Sequence, residues 1–168
     1  MNYFKREIEM QNRENQSRPH SLRFNGDELT MAVNIVATVA PMMDIVYHLM
    51  NNRDEESFVL MLMSAKNVDM GTLLEKEKRD TDILYEIDKE DAVYLMLCQD
   101  TKVDGGYRFA ERIIRNIVLD KGSDIYCSEL EIRSTTHIIK DVILKLVESY
   151  IKAKQENKSG EIAFRSLN

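Results

Sequence analysis

From Asp27 onward, apolar residues recur at three-to-four spacing, and Leu29, Val33, Val36, Ala37, Ala40, Met43, Ile45, Val46 and Leu49 together make a helix with a broad apolar face. Asp27 is placed to cap that helix, and Pro41 is expected to bend it or divide it in two. The run SFVLMLMSA over residues 57–65 is apolar almost without interruption and of strand length, which predicts a central strand covered on its helical side. A short helix is expected over residues 71–78. ILYEI and AVYLMLC supply β-branched and aromatic residues on either side of Asp88, Lys89, Glu90 and Asp91, the pattern of an antiparallel hairpin around a polar turn. Gly105 and Gly106 open a helix that runs to about Leu119. Residues 123–133 alternate as a strand, residues 136–155 form a strongly amphipathic helix, and residues 161–167 a last short strand.

The order αβαββαβαβ predicts an α+β fold of the ferredoxin-like or palm type, a mainly antiparallel sheet with helices packed on one face. Residues 1–26 are polar and poor in apolar anchors, so they read as a tail or short leading helix, and residues 27–168 as the domain. With 168 residues and 43% hydrophobic content, the chain is long enough for one well-buried core and too short for two ordinary domains. A net charge of −6 argues against non-specific nucleic-acid binding, which requires a basic face to displace phosphate counterions. No apolar run reaches the roughly 18 residues of a membrane span, and the first residues lack a signal peptide's apolar segment; a cytoplasmic protein is expected. Cys98 and Cys127 fall in predicted strands without metal-binding spacing and read as buried thiols. His20, His48 and His137 are scattered, and no cofactor is expected.

The stretch RDTDILYEIDKEDA, residues 79–92, places Arg79 and Asp82 as an Arg-x-x-Asp pair ahead of the hairpin turn. Upstream, Asp27, Leu29, Thr30 and Asn34 stand in DELTMAVNI; downstream come AERIIRNI and then Ala153 and Lys154, with Asn157 and Lys158 following in IKAKQENKSGEIAF. In collinear order these landmarks resemble a GGDEF domain, the diguanylate cyclase family of bacterial signalling, from about residue 27 to 167. The family's glycine-rich acidic turn is replaced here by Asp88, Lys89, Glu90, Asp91 and Ala92. Its metal-binding aspartate at the end of the first strand is also lacking, since that strand end reads Met61, Leu62, Met63, Ser64, Ala65. Only residues 66–78 stand where the family carries a long segment holding guanine and ribose. Cyclase chemistry needs carboxylates that hold two Mg²⁺ ions against a triphosphate, so the resemblance implies a degenerate, catalytically inactive domain.

The family also uses Arg-x-x-Asp as a product-binding inhibitory site remote from catalysis. That resemblance implies that Arg79 donates to guanine O6 and N7 while Asp82 accepts from N1–H and the 2-amino group, a pairing worth roughly 1–3 kcal/mol. The expected ligand is cyclic di-GMP. Equally, Arg79 can be a surface residue of the charged run EKEKRD, with Asp82 structural. Lys154 and Lys158 lie where the family contacts nucleotide phosphates, and both also suit a helix C-terminus, where cations complement the dipole. Two functions stay open: a regulatory cyclic di-GMP receptor, or a protein-interaction or homodimerisation adaptor that binds no nucleotide.

Overall fold

The computed structural model describes residues 23–53 and 55–167, so the expected N-terminal tail lies almost entirely outside the described residues. The elements are α1 (Gly26–Asn52), β1 (Phe58–Lys66), α2 (Met70–Glu77), β2 (Asp82–Asp88), β3 (Val93–Cys98), α3 (Val103–Leu119), β4 (Ser123–Ile132), α4 (Ile139–Gln155) and β5 (Ile162–Leu167). This is the predicted α+β order. The five strands form one sheet in the order β2-β3-β1-β4-β5. β1 pairs antiparallel with β3 and β4, and β2 antiparallel with β3. The last pair, β4 with β5, is parallel, because α4 crosses over between them and returns the chain in the same direction. The sheet is therefore mixed.

One expectation needs correction: the helices cover both faces of the sheet. Phe58, Leu60 and Leu62 of β1 point into a core shared with Ile35, Val39 and Met43 of α1 and Ile143, Leu146 and Val147 of α4. Val59, Met61, Met63 and Ala65 point the opposite way, into a second core with Leu73 and Leu74 of α2 and Ala110, Ile113 and Ile117 of α3. Side chains alternate across a strand, so an apolar run unbroken at every position already requires both faces to be covered. A one-sided sheet would have alternated apolar with polar.

Three local differences have equally simple causes. The cap of α1 is Asn25 rather than Asp27: the Glu28 amide donates to Asn25 Oδ1 and the Asn25 amide to Glu28 Oε1, both at 2.9 Å, a reciprocal capping box. Pro41 lies inside α1 without splitting it, because buried Val39, Met43 and Val46 pin the helix to the sheet on both sides of the missing N–H. Contrary to the sequence reading, α1 does have the length and composition of a membrane span, with mean hydropathy 1.7 over 18 residues. Thr and Asn interrupt its apolar residues, which hid this from a search for unbroken runs. Its inner side packs in the domain core.

Candidate functional site

Arg79 and Asp82 meet where α2 gives way to β2. The Asp82 amide donates to the Arg79 carbonyl at 3.0 Å, closing a turn, and the Arg79 amide donates back to Asp82 Oδ2 at 2.8 Å. The guanidinium completes the clasp, with Nε 3.1 Å and Nη2 2.8 Å from Asp82 Oδ1. Nη2 also donates to the Gln99 carbonyl at 3.0 Å and to Thr101 Oγ1 at 2.6 Å, tying the turn to the end of β3. The Asp82 side chain is 1% exposed, and that of Arg79 is 52% exposed. Hydrogen bonding to Asp82 holds the Arg79 guanidinium above its ordinary pKa, so it stays cationic.

This geometry changes the role given to Asp82. The buried carboxylate accepts from Arg79 through both oxygens, so Asp82 orients the guanidinium, and it also lines the neighbouring cavity. Of the guanidinium nitrogens, Nη1 is the one with no protein acceptor among the described residues. Arg79 borders a cavity of about 190 Å³, lined also by Asp82, Cys98 and Thr101 and, from α3, by Gly105, Arg108, Phe109 and Arg112.

Sequence reasoning missed Arg108 and Arg112. They are four residues apart, one turn on the same helical face, and that spacing was the available signal. Arg112 pairs with Glu77 of α2 at 3.1 Å, and its guanidinium carbon stacks 5.1 Å from the Phe109 ring centre. Arg108 is exposed and has no ion-pair partner among the described residues. Three guanidinium groups and an aromatic ring thus border one small cavity in a protein of net charge −6.

The other expected site residues separate. Lys154 lines a cavity of about 400 Å³ formed by the start of α1, the β2–β3 turn and the end of α4, with Asp27, Glu28, Asp88, Asp91 and Tyr150 around it. Its Nζ lies 5.5 Å from the Tyr150 ring centre. Lys158 does not join it: α4 ends at Gln155, Asn157 takes the left-handed backbone (φ 52°), and Lys158 pairs with Glu156 at 2.8 Å in the following turn. A residue past the helix end no longer follows the four-residue spacing that would stack it on Lys154.

Around the larger cavity, where the resemblance implies the nucleotide site, two of the lining carboxylates already have partners. The Asp88 carboxylate accepts from the Glu90 and Asp91 amides at 2.9 and 3.2 Å, and Glu28 is held in the capping box. At the end of β1, Ser64 hydrogen-bonds Tyr150 Oη at 2.6 Å instead of presenting an acid. Burial pushes the Tyr150 hydroxyl up to about 12, so it stays a neutral partner. Among the described residues, no three His, Cys, Asp or Glu side chains gather as metal ligands.

No family model matches the chain, and no curated protein matches it by sequence. Solved structures do. The active GGEEF domain of a diguanylate cyclase from Vibrio cholerae superposes with a TM-score of 0.57 at 12% identity, covering 77% of this chain and 97% of that one. A microbial GGDEF domain described in a novel interaction mode with bis-(3′,5′)-cyclic di-GMP gives 0.61 at 9% identity, over 77% and 91%. The diguanylate cyclase SiaD from Pseudomonas aeruginosa, solved with its activator SiaC, gives 0.54 at 11% identity, over 98% of this chain and 72% of that one. At these identities the likeness establishes architecture, and the chain has the fold of GGDEF domains.

Proposed function

We propose that this GGDEF-fold domain is a regulatory receptor for a guanine dinucleotide, cyclic di-GMP, and does not make one. The observation that carries the reading is the Arg79 clasp opening onto the Arg108 and Arg112 face of α3. A cyclic dinucleotide offers two phosphodiester anions and purine edges rich in acceptors at O6 and N7. Arg79 supplies an oriented donor to one base edge, Arg108 a free cation for a phosphate, and Phe109 with Arg112 a flat surface for stacking. At about 190 Å³ the cavity is smaller than the roughly 300–1,000 Å³ of sites that enclose a whole small molecule. It takes one base or phosphate at a time, which implies micromolar rather than nanomolar affinity.

The absence of catalysis rests on chemistry rather than on the fold. Of the carboxylates lining the larger cavity, Glu28 and Asp88 are engaged in cap and turn hydrogen bonds, Ser64 stands at the end of β1, and the turn lacks the glycines that let a triphosphate approach the backbone. Binding is tested by calorimetric titration of the protein with cyclic di-GMP and, separately, GTP. Micromolar cyclic di-GMP binding that Arg79→Ala and Arg108→Ala each weaken about tenfold, or 1.4 kcal/mol, supports the reading. Unchanged affinity in both variants removes it. A second reading, a protein-interaction module, is favoured by one specific observation, the exposed Leu29, Val33 and Ile45 on the outer side of α1.

A further inference from the structure

The cavity beside Arg79 takes one base, and a cyclic dinucleotide carries two. Successive residues of α3 turn by about 100°, and its buried side is Gly106, Ala110, Ile113 and Ile117. That places Phe109 and Arg112 on one flank, over the first cavity, and Tyr107 and Glu111 on the opposite flank. Arg108 stands between the flanks on the outward crest, exposed. The second flank has a cavity of its own, of about 430 Å³, lined by Asp104, Tyr107, Arg108 and Glu111 of α3 and by Phe164 of β5. Arg108 lines both cavities, so they meet over the crest of the helix.

The side chains of the second cavity are those that hold a base. Tyr107 and Phe164 are both exposed and meet edge to face, ring centres 5.5 Å apart at 69°. Phe164 is the register partner of Glu129 on β4 and so faces the α3 side of the sheet, while β5, as the edge strand, leaves its outer side uncovered. Two rings at this angle form a corner in which a planar base stacks on one ring and sets an edge against the other. Asp104 and Glu111 have neither a hydrogen bond nor an ion pair with any other described residue. Asp104 suits the first turn of a helix on its own account. Glu111, in mid-helix, has no such role, and a carboxylate only accepts. Guanine is the base that offers it two adjacent donors, N1–H and the 2-amino group.

We propose that this flank holds the second guanine of the same ligand. Resting on the receptor role given above, the dinucleotide straddles α3, with one base against Arg79 and the ring that carries its two phosphates over Arg108. The other base stacks in the Tyr107–Phe164 corner with its donor edge on Glu111. A helix is about 10 Å across, so the two bases are held apart on its flanks rather than stacked on each other. A site that uses both guanine donors rejects adenine, which lacks the 2-amino group and presents an acceptor at N1.

Calorimetric titration of the full 168-residue chain with cyclic di-GMP and with cyclic di-AMP tests this. Phe164→Leu keeps an apolar side chain on β5 but removes the ring, and it should weaken cyclic di-GMP binding by about tenfold while the protein melts as wild type does. Glu111→Gln should lower the preference for cyclic di-GMP over cyclic di-AMP by about tenfold, a ratio that a merely structural glutamate would not move. In the wild-type complex, nuclear Overhauser contacts should join the Phe164 ring to guanine protons. Cyclic di-GMP binding that Arg79→Ala weakens and that Phe164→Leu and Glu111→Gln leave unchanged overturns the inference and keeps the receptor reading. Binding weakened by Phe164→Leu but not by Arg79→Ala overturns the spanning of α3. No wild-type binding at about 1 mM ligand overturns both readings together.

Discussion

Raising the pH should destabilise this protein through one residue, Glu129. It lies on β4 beneath the start of α3, 3% exposed, and its Oε2 has no hydrogen-bond partner among the described residues. Gly106 of α3 sits directly over its carboxylate, beside Val59, so a Cβ there would collide with Oε1. Glu131, two residues on, is equally buried but satisfied: it accepts from the Val103 amide at the start of α3 and from Ser166 Oγ. Burial alone pushes the Glu129 carboxyl up from 4.5 to about 8. An acid that is neutral in the fold and ionised in the unfolded chain makes the fold most stable below pH 4.5. That contribution is lost as pH rises to about 8 and is constant above it.

The size of the loss follows from the same numbers. Moving the carboxyl from 4.5 to about 8 corresponds to about 5 kcal/mol, at 1.36 kcal/mol for each unit of pKa. That figure is a ceiling, because water reaching an ionised carboxylate relieves part of the desolvation, and about 2 kcal/mol or more is expected. Asp69 and Glu156, whose hydrogen bonds lower their pKa values, are ionised in both folded and unfolded chains across this window. The comparison with Glu129→Gln cancels the histidines, which both proteins share. Urea denaturation at pH 5 and pH 9 should give similar midpoints for the two proteins at pH 5. At pH 9 the variant midpoint should be higher by about 1 M, given slopes of roughly 1–3 kcal/mol/M. Parallel stability curves for wild type and variant across that range would refute the argument.

Asp82→Ala should lower stability by about 3 kcal/mol in thermal or urea denaturation, since it breaks a clasp whose carboxylate is buried, and should also weaken cyclic di-GMP binding by releasing Arg79. Gly106→Ala should cost about 2 kcal/mol or more, because the new methyl overlaps Glu129 and presses on Val59, whereas Gly105→Ala, whose nearest neighbour is Thr101 Cγ2 at 3.7 Å, should be neutral or stabilising by up to about 1 kcal/mol; comparative melting checks both. Incubation with GTP and Mg²⁺ or Mn²⁺ should give no cyclic di-GMP above a boiled control by chromatography, because Ser64 rather than an acid stands at the end of β1 and Glu28 and Asp88 are already engaged.

Element order and most element ends were legible in the sequence because periodicity and turn residues are local signals. What failed was information carried by more than one segment. The unbroken apolar run of β1 stated that both sheet faces are covered, yet the sandwich assigned from element order overrode it. Arg79 and Asp82 were visible as a motif, but that they clasp each other depends on backbone closure and on Gln99 and Thr101, about twenty positions away. Arg108 and Arg112 escaped notice because nothing in α3 alone says which face overlooks the clasp. Lys158 was misjudged by one helical turn, since the end of α4 at Gln155 and the left-handed Asn157 carry it away from Lys154.

The most direct test of the central claim is a titration of isotope-labelled protein with cyclic di-GMP, followed by amide chemical shifts. Binding at the arginine-lined cavity predicts saturable shifts at Arg79, Gln99, Thr101, Gly105, Arg108 and Phe109, with Val93, Tyr150 and Lys154 of the opposite cavity unmoved. Lys154→Ala should leave that titration unchanged. Shifts centred on Asp91, Val93 and Lys154, or none at about 1 mM ligand, where a binding energy near 4 kcal/mol would still register, would contradict the receptor reading.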